Sequence, residues 1–164
     1  MMGVGKTTIG KKLAEKLKIK FVDIDKIIEA REKKTIKEIF ELDGESYFRE
    51  IEKNITLDIL RKKKLVIALG GGAFMNSEIR KEVIKTSISV WLDLSAKNLI
   101  SRLKNTKKRP LLNKNNLNEL VNEIYSRRKK NYNESNCRIK CDFLEKNQIV
   151  NKIINLYEKS KNKD

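Results

Sequence analysis

Residues 65–72 read Leu65-Val66-Ile67-Ala68-Leu69-Gly70-Gly71-Gly72. Five apolar residues without a polar break suit a strand buried on both faces, as in a parallel sheet covered by helices. Ligands of parallel sheets bind outside the carboxyl ends of the strands. Three glycines at such an end let the backbone approach a ligand and donate N–H groups without a Cβ in the way. A plain flexible turn would also use glycine, but three in a row after a buried strand favour a ligand.

Working outward, apolar runs alternate with helical patterns. Ile9, Leu13 and Leu17 follow a helical period, and Ile19–Ile24 is short, β-branched and aromatic, a predicted strand. Ile27 and Ile28 open a further helix. Residues 36–60 read as two helices broken at Gly44, with Ser46 as the expected N-cap of the second. Ile88–Leu92 is predicted as a strand, Asn118–Tyr132 as a helix, Cys137–Cys141 as a short strand, Gln148–Tyr157 as a closing helix and 160–164 as a frayed tail. Strands separated by helices imply an α/β fold with a parallel sheet flanked by helices on both sides. A single domain over 1–164 is expected, with the irregular, Asn-rich and basic stretch at about 105–117 as a mobile lid.

The chain carries 38 basic and 22 acidic side chains and no histidine, for a net charge of +16. That charge admits nucleic acid, an anionic surface or small anionic substrates as partners. Lysine is spread along most of the chain, however, and no aromatic stripe is interleaved with it, so biased composition accounts for the charge and no nucleic-acid partner is expected. No run approaches the roughly 20 apolar residues of a membrane span. No signal peptide is visible, so a cytoplasmic location is expected. Cys137 and Cys141, four apart on a strand, would have Cα atoms roughly 13 Å apart at about 3.3 Å per residue. A disulfide needs less than about 7 Å. They read as small buried residues in a reducing compartment.

Four constellations carry chemistry. Gly3-Val4-Gly5-Lys6-Thr7-Thr8 followed by a helical pattern supplies glycines to bare backbone N–H groups, a lysine for phosphates and a hydroxyl for Mg²⁺. A chance glycine-rich helix start is the alternative. Asp23-Ile24-Asp25 closes a predicted strand. Beside a magnesium nucleotide one carboxylate can hold the metal's waters and the other accept a substrate proton, while two solvated acids would look the same. The glycine triplet is the third. Arg49, Arg109, Arg127 and Arg128 are the fourth, each offering a planar fork for carboxylate or phosphate in a chain otherwise dominated by lysine.

GVGKTT, FVDIDKIIE, IKEIFELDGESYFREIE, VIALGGGA, VWLDL, KKRPLL and RKKNY, in that order and near the expected spacing, resemble the shikimate kinase family. The resemblance runs from Gly3 to about Asp142, and more loosely to the end of the chain. It implies a five-stranded parallel sheet akin to nucleoside monophosphate kinases, and phosphorylation of the 3-hydroxyl of shikimate by MgATP on the way to chorismate and aromatic amino acids. It further implies roles. Gly3 to Thr8 (Gly3, Val4, Gly5, Lys6, Thr7, Thr8) cradle ATP, with Lys6 on the phosphates and Thr7 on Mg²⁺. Asp23 supports Mg²⁺ through water. Asp25 binds shikimate and orients or deprotonates the attacking hydroxyl. Arg49 and Arg128 clamp its carboxylate, and Gly71 contacts it through backbone. Arg109 on the lid binds phosphate and stabilises the transition state, and Arg102 flanks adenine. A monomer is implied.

The chain departs from the family pattern in two places. The first glycine of the phosphate loop and the first strand, central in the family's sheet, are missing, so the true start is expected upstream with roughly ten more residues forming a strand and a glycine. DFLEKNQIV lacks the adenine-side arginine–proline pattern, which leaves Lys146 or Gln148 as substitutes. Another P-loop small-molecule kinase (gluconate- or nucleotide-kinase-like) and an inactive truncated form are the competing readings.

Overall fold

The structure is a computed structural model and describes residues 3–104 and 116–161. It divides into two compact units, Lys6–Ile88 and the combination of Met1–Gly5 with Ser89–Asp164.

The first unit runs α1 (Lys6–Leu17), β1 (Lys20–Asp23), α2 (Ile24–Glu32), α3 (Ile36–Leu42), α4 (Gly44–Leu60), β2 (Leu65–Ala68), a 3₁₀ turn (Ala73–Met75) and α5 (Ser77–Thr86). β1 and β2 are parallel, with Lys20 opposite Leu65 and Asp23 opposite Ala68, so both strands end at the same level. Ile24, Ile28 and Ile39 are wholly buried and pack with Phe48, Ile55 and Ile59. α4 contributes the last three at helical spacing, which is why its polar residues fall mostly outward. Gly10 of α1 lies so close to Phe21 of β1 that a Cβ there would collide with the ring.

Helix starts follow local chemistry. Thr35 and Glu38 cap α3 reciprocally: the Thr35 hydroxyl accepts from the Glu38 N–H at 3.2 Å, and Glu38 accepts from the Thr35 N–H at 2.7 Å. Asn76 caps α5, its Oδ1 accepting from the N–H groups of Glu78 and Ile79. Ser46 does not cap α4, contrary to expectation. The helix begins two residues earlier at Gly44, whose φ of +86° makes the break between α3 and α4. Asp43 occupies the cap position, but its carboxylate is held by Lys34 at 2.7 and 3.1 Å and caps nothing. α2 likewise starts at Ile24, three residues before Ile27.

The second unit holds β3 (Val90–Asp93), α6 (Ala96–Lys104), α7 (Leu117–Tyr132), β4 (Cys137–Lys140) and α8 (Lys146–Lys161). β3 and β4 are parallel, Val90 opposite Cys137 and Trp91 opposite Arg138. Trp91, Leu92, Asp93 and Leu94 are buried, as are Leu99 and Leu103 of α6 and Leu117 and Val121 of α7. β3 starts two residues later than Ile88, which is exposed. Cys141 is buried and free, as expected. Cys137 is free but only half-buried, which corrects its reading as a core residue.

The four strands seen among the described residues thus form two separate parallel pairs, where the resemblance implied a five-stranded sheet whose first strand is missing from the matched stretches. The expected lid falls on 105–115, outside the described residues; Leu117 is the buried first residue of α7.

Candidate active site

In the second unit, Gly3 and Gly5 have φ of +74° and +94°, the left-handed region that glycine enters at little cost. A Cβ on Gly3 would also lie 3.2 Å from Leu103. Arg102 of α6 donates to the Val4 carbonyl at 3.3 Å, so the loop's outer side is tied down by the arginine expected near the base.

In the first unit, α1 opens at Lys6, and Thr7 is its second residue. The Thr7 hydroxyl donates to Asp23 Oδ2 at 2.7 Å. The two residues expected to serve Mg²⁺ are therefore joined. A hydroxyl and a carboxylate oxygen suit Mg²⁺, a hard cation that keeps most of its waters and takes few protein ligands. Among the described residues no group of three or more His, Cys, Asp or Glu side chains forms a metal cage.

β1 ends at Asp23, and Asp25 follows in the first turn of α2. The two carboxylates are therefore separated by a strand–helix junction rather than by strand alternation. Beside them lies the glycine turn after β2. A Cβ on Gly70 would collide with a carboxylate oxygen of Glu52 and lie 2.9 Å from Asp25 Oδ1. A Cβ on Gly72 would fall 2.6 Å from Arg49 Nη1. At both positions a Cβ would displace the end of a charged side chain, Glu52 and Asp25 at Gly70 and Arg49 at Gly72, because these side chains pack directly on the backbone. The turn is braced by the Met75 N–H donating to the Gly72 carbonyl at 2.9 Å and by Arg80 Nη1 donating to the carbonyls of Phe74 and Met75.

Arg49 is held on three sides. Its Nη1 donates to Glu52 Oε2 at 2.7 Å, its Nε and Nη2 to Glu45 Oε1 at 3.1 and 3.0 Å, and its guanidinium lies 5.0 Å from the Phe48 ring centroid. Burial alone would lower its pKa, but the bonds and charges of Glu52 and Glu45 outweigh that and raise it. Arg49 is permanently cationic, fixed in direction and still partly open, as an anchor for an anionic group should be.

Glu52 was not singled out from the sequence. Its signal was legible: Phe48, Glu52, Ile55 and Ile59 share the inward stripe of α4, and an acid in an apolar stripe needs a partner. Glu52 is 2 % exposed.

The other expected residues are spread more widely. Gly71 is half-buried in the turn, and Arg128 is half-buried on α7. Arg109 lies outside the described residues. Lys146 is the exposed first residue of α8, and Gln148 Oε1 accepts from the Glu145 N–H at 2.8 Å, so its oxygen caps that helix. The Asp142 carboxylate accepts from the Ser95 N–H at 3.0 Å and from Asn98 Nδ2 at 2.7 Å. Burial pushes its pKa up, and these bonds outweigh that and hold it low.

Parallel strands flanked by helices, a glycine loop running into a helix, and acids with an arginine at the carboxyl ends of β1 and β2 define an α/β P-loop kinase. The comparisons narrow this. The family model described as shikimate kinase matches residues 2–158. The chain is 44% identical over 153 residues to a shikimate kinase of Sulfurihydrogenibium sp., covering 93% of this chain and 91% of that one. It is 42% identical to one of Persephonella marina, covering 93% and 92%. The structure of shikimate kinase from Acinetobacter baumannii in complex with shikimate matches with a TM-score of 0.91 at 32% identity, over 98% of this chain and 90% of that one. That from Bacteroides thetaiotaomicron matches with a TM-score of 0.89 at 32% identity, over 96% and 94%. The chain belongs to the shikimate kinase family.

Proposed function

We propose that this chain transfers the γ-phosphoryl group of ATP to the 3-hydroxyl of shikimate, giving shikimate 3-phosphate and ADP in aromatic amino acid biosynthesis. The observation that carries this reading is the meeting, at the level carboxyl ends of β1 and β2, of the Thr7–Asp23 pair with Asp25, Glu52 and Arg49 packed on Gly70 and Gly72.

Phosphoryl transfer asks mainly for positioning and neutralised charge. In this reading the backbone of Gly3 to Thr8 holds the phosphates, and Lys6 reaches the β- and γ-oxygens. Thr7 and, through water, Asp23 would hold Mg²⁺, which when bound screens the phosphate charge. Asp25 orients the acceptor hydroxyl and takes its proton as the new O–P bond forms and ADP departs. Arg49 and Arg128 hold the acceptor's carboxylate, and Gly71 offers its backbone. Arg109 neutralises the phosphoryl group in flight, and Arg102 flanks the base. One P-loop domain with a lid at about 105–117, acting as a cytoplasmic monomer, completes the reading. The family match across both units supports one domain. Among the described residues no helix is long and apolar enough to cross a membrane.

With MgATP, ADP release followed by a coupled assay should depend on shikimate. Equal rates with gluconate or a nucleoside monophosphate would overturn the assignment. Asp25→Asn should lower kcat by about 10²–10⁴-fold, the range of a lost general base; a near-normal kcat removes Asp25 from that role.

A further inference from the structure

α7 reaches β3 at two points. The Tyr125 hydroxyl donates to Asp93 Oδ1 at 2.8 Å, and the Tyr132 ring stacks on Trp91 with centroids 5.7 Å apart and planes 21° apart. Trp91 and Asp93 are two residues apart on β3 and so share a face. Arg138, opposite Trp91 in register, closes the set: its guanidinium lies 4.5 Å from the Trp91 ring centroid, and its Nε and Nη2 donate to Asp93 Oδ2 at 2.9 and 2.7 Å. Asp93 is 5 % exposed, and each of its oxygens serves a different element.

Tyr125 and Tyr132 are two helical turns apart, about 10.5 Å along the axis. Two anchors on one stripe fix the helix in rotation as well as in place. Arg128 stands three residues after one anchor and four before the other, on the same stripe. A guanidinium about 6 Å from the axis moves about 2 Å when the helix turns by about 20°, and misplacement of about 1 Å can cost 10²-fold in a positioned reaction. Packing alone does not require this arrangement, because apolar residues of similar volume would hold two elements together as well as a buried charged network does. Burial, with the Asp93 carboxylate second, pushes the Tyr125 hydroxyl up to about 12, so it remains a donor at any ordinary assay pH.

We propose that Asp93 is a positioning residue for the acceptor substrate, fixing through Tyr125 the rotation of α7 and hence the direction of Arg128. This rests on the reading of Arg128 as a contact of the shikimate carboxylate.

The test is steady-state kinetics on Tyr125→Phe, Arg128→Ala and the double variant, with urea midpoints recorded for each. Tyr125→Phe should raise the KM for shikimate by about 3- to 10-fold, the equivalent of one hydrogen bond, with kcat and the KM for ATP within about twofold. Arg128→Ala should raise it further, and the double variant should be no worse than Arg128→Ala. Asp93→Ala should raise it at least as far as Tyr125→Phe; because that buried change can unfold the chain, Tyr125→Phe is the deciding variant. If Arg128→Ala raises the KM while Tyr125→Phe leaves it unchanged, or if the two effects multiply, the positioning role is overturned and the carboxylate contact stands. If Arg128→Ala leaves the KM unchanged, the carboxylate contact itself falls, and the positioning role with it.

Discussion

α4 and α7 solve the same problem differently. Each is a long helix with an inward stripe, and each stripe is interrupted by one charged residue, Glu52 in α4 and Arg128 in α7. α4 is seated by aliphatic and aromatic packing, with Ile55 and Ile59 beside the wholly buried Ile24, Ile28 and Ile39. Its charged residue is neutralised on the spot by Arg49, one turn away. α7 also buries Leu117 and Val121, but it adds directional contacts to that packing, a hydroxyl on a carboxylate and a ring on a ring. The first arrangement ties site geometry to the stability of the unit. The second adds to packing a few directional bonds that single substitutions such as Tyr125→Phe can remove one at a time.

The largest effect expected to sharpen this contrast is on the α4 side. Gly70→Ala drives a Cβ into the Glu52 carboxylate and against Asp25, and neither side chain hangs on a free, exposed arm. kcat/KM for shikimate should fall by about 10² or more, as misplacement of about 1 Å predicts. A near-normal value would mean that the acids are not held against this turn. Next, Ile55→Ala should cost about 2–5 kcal/mol of stability, read from urea unfolding, because it opens a cavity in a closed core. A loss below about 0.5 kcal/mol would show that α4 is not seated by packing. The smallest effect concerns acid. Asp142 has a pKa below that of an unfolded carboxylate, so the stability it contributes is present above about pH 4 and is lost as pH falls through its folded value. Asp142→Asn should therefore shift the urea midpoint less between pH 5 and pH 3 than the parent chain does; an identical pH slope would show that Asp142 is not the group responding.

Much of this was legible in the sequence, for reasons that differ from element to element. LVIAL announced β2 because a strand covered on both faces has no polar position to confuse its pattern. Gly44 announced the break between α3 and α4, and the structure shows the positive φ behind it. The exact start of α4 was hidden because Lys34 claims Asp43 across a distance that local patterning does not reveal. α5, which buries Ile79 and Val83, and α6, which buries Leu99 and Leu103, went unread. Thr7, Asp23, Asp25 and Arg49 could be singled out as candidates because each belongs to a short motif. Asp93 was not singled out because its partners, Tyr125 and Arg138, come from elsewhere in the fold; Glu52 was not singled out although its ion-pair partner Arg49 is one turn away and the stripe of α4 carried its signal.

The Thr7 hydroxyl has a single proton, which it donates in its hydrogen bond to Asp23. A hydroxyl can give one hydrogen bond and offer two lone pairs. With its proton committed, its orientation is no longer free to follow a passing water or phosphate oxygen, and what it presents outward is electron density alone. Threonine's branched Cβ narrows the choice further by limiting χ1. If Thr7 holds Mg²⁺ as proposed, its oxygen would meet the ion with its proton already engaged, and a valine at that position would keep the shape of the side chain while losing both that oxygen and the bond to Asp23.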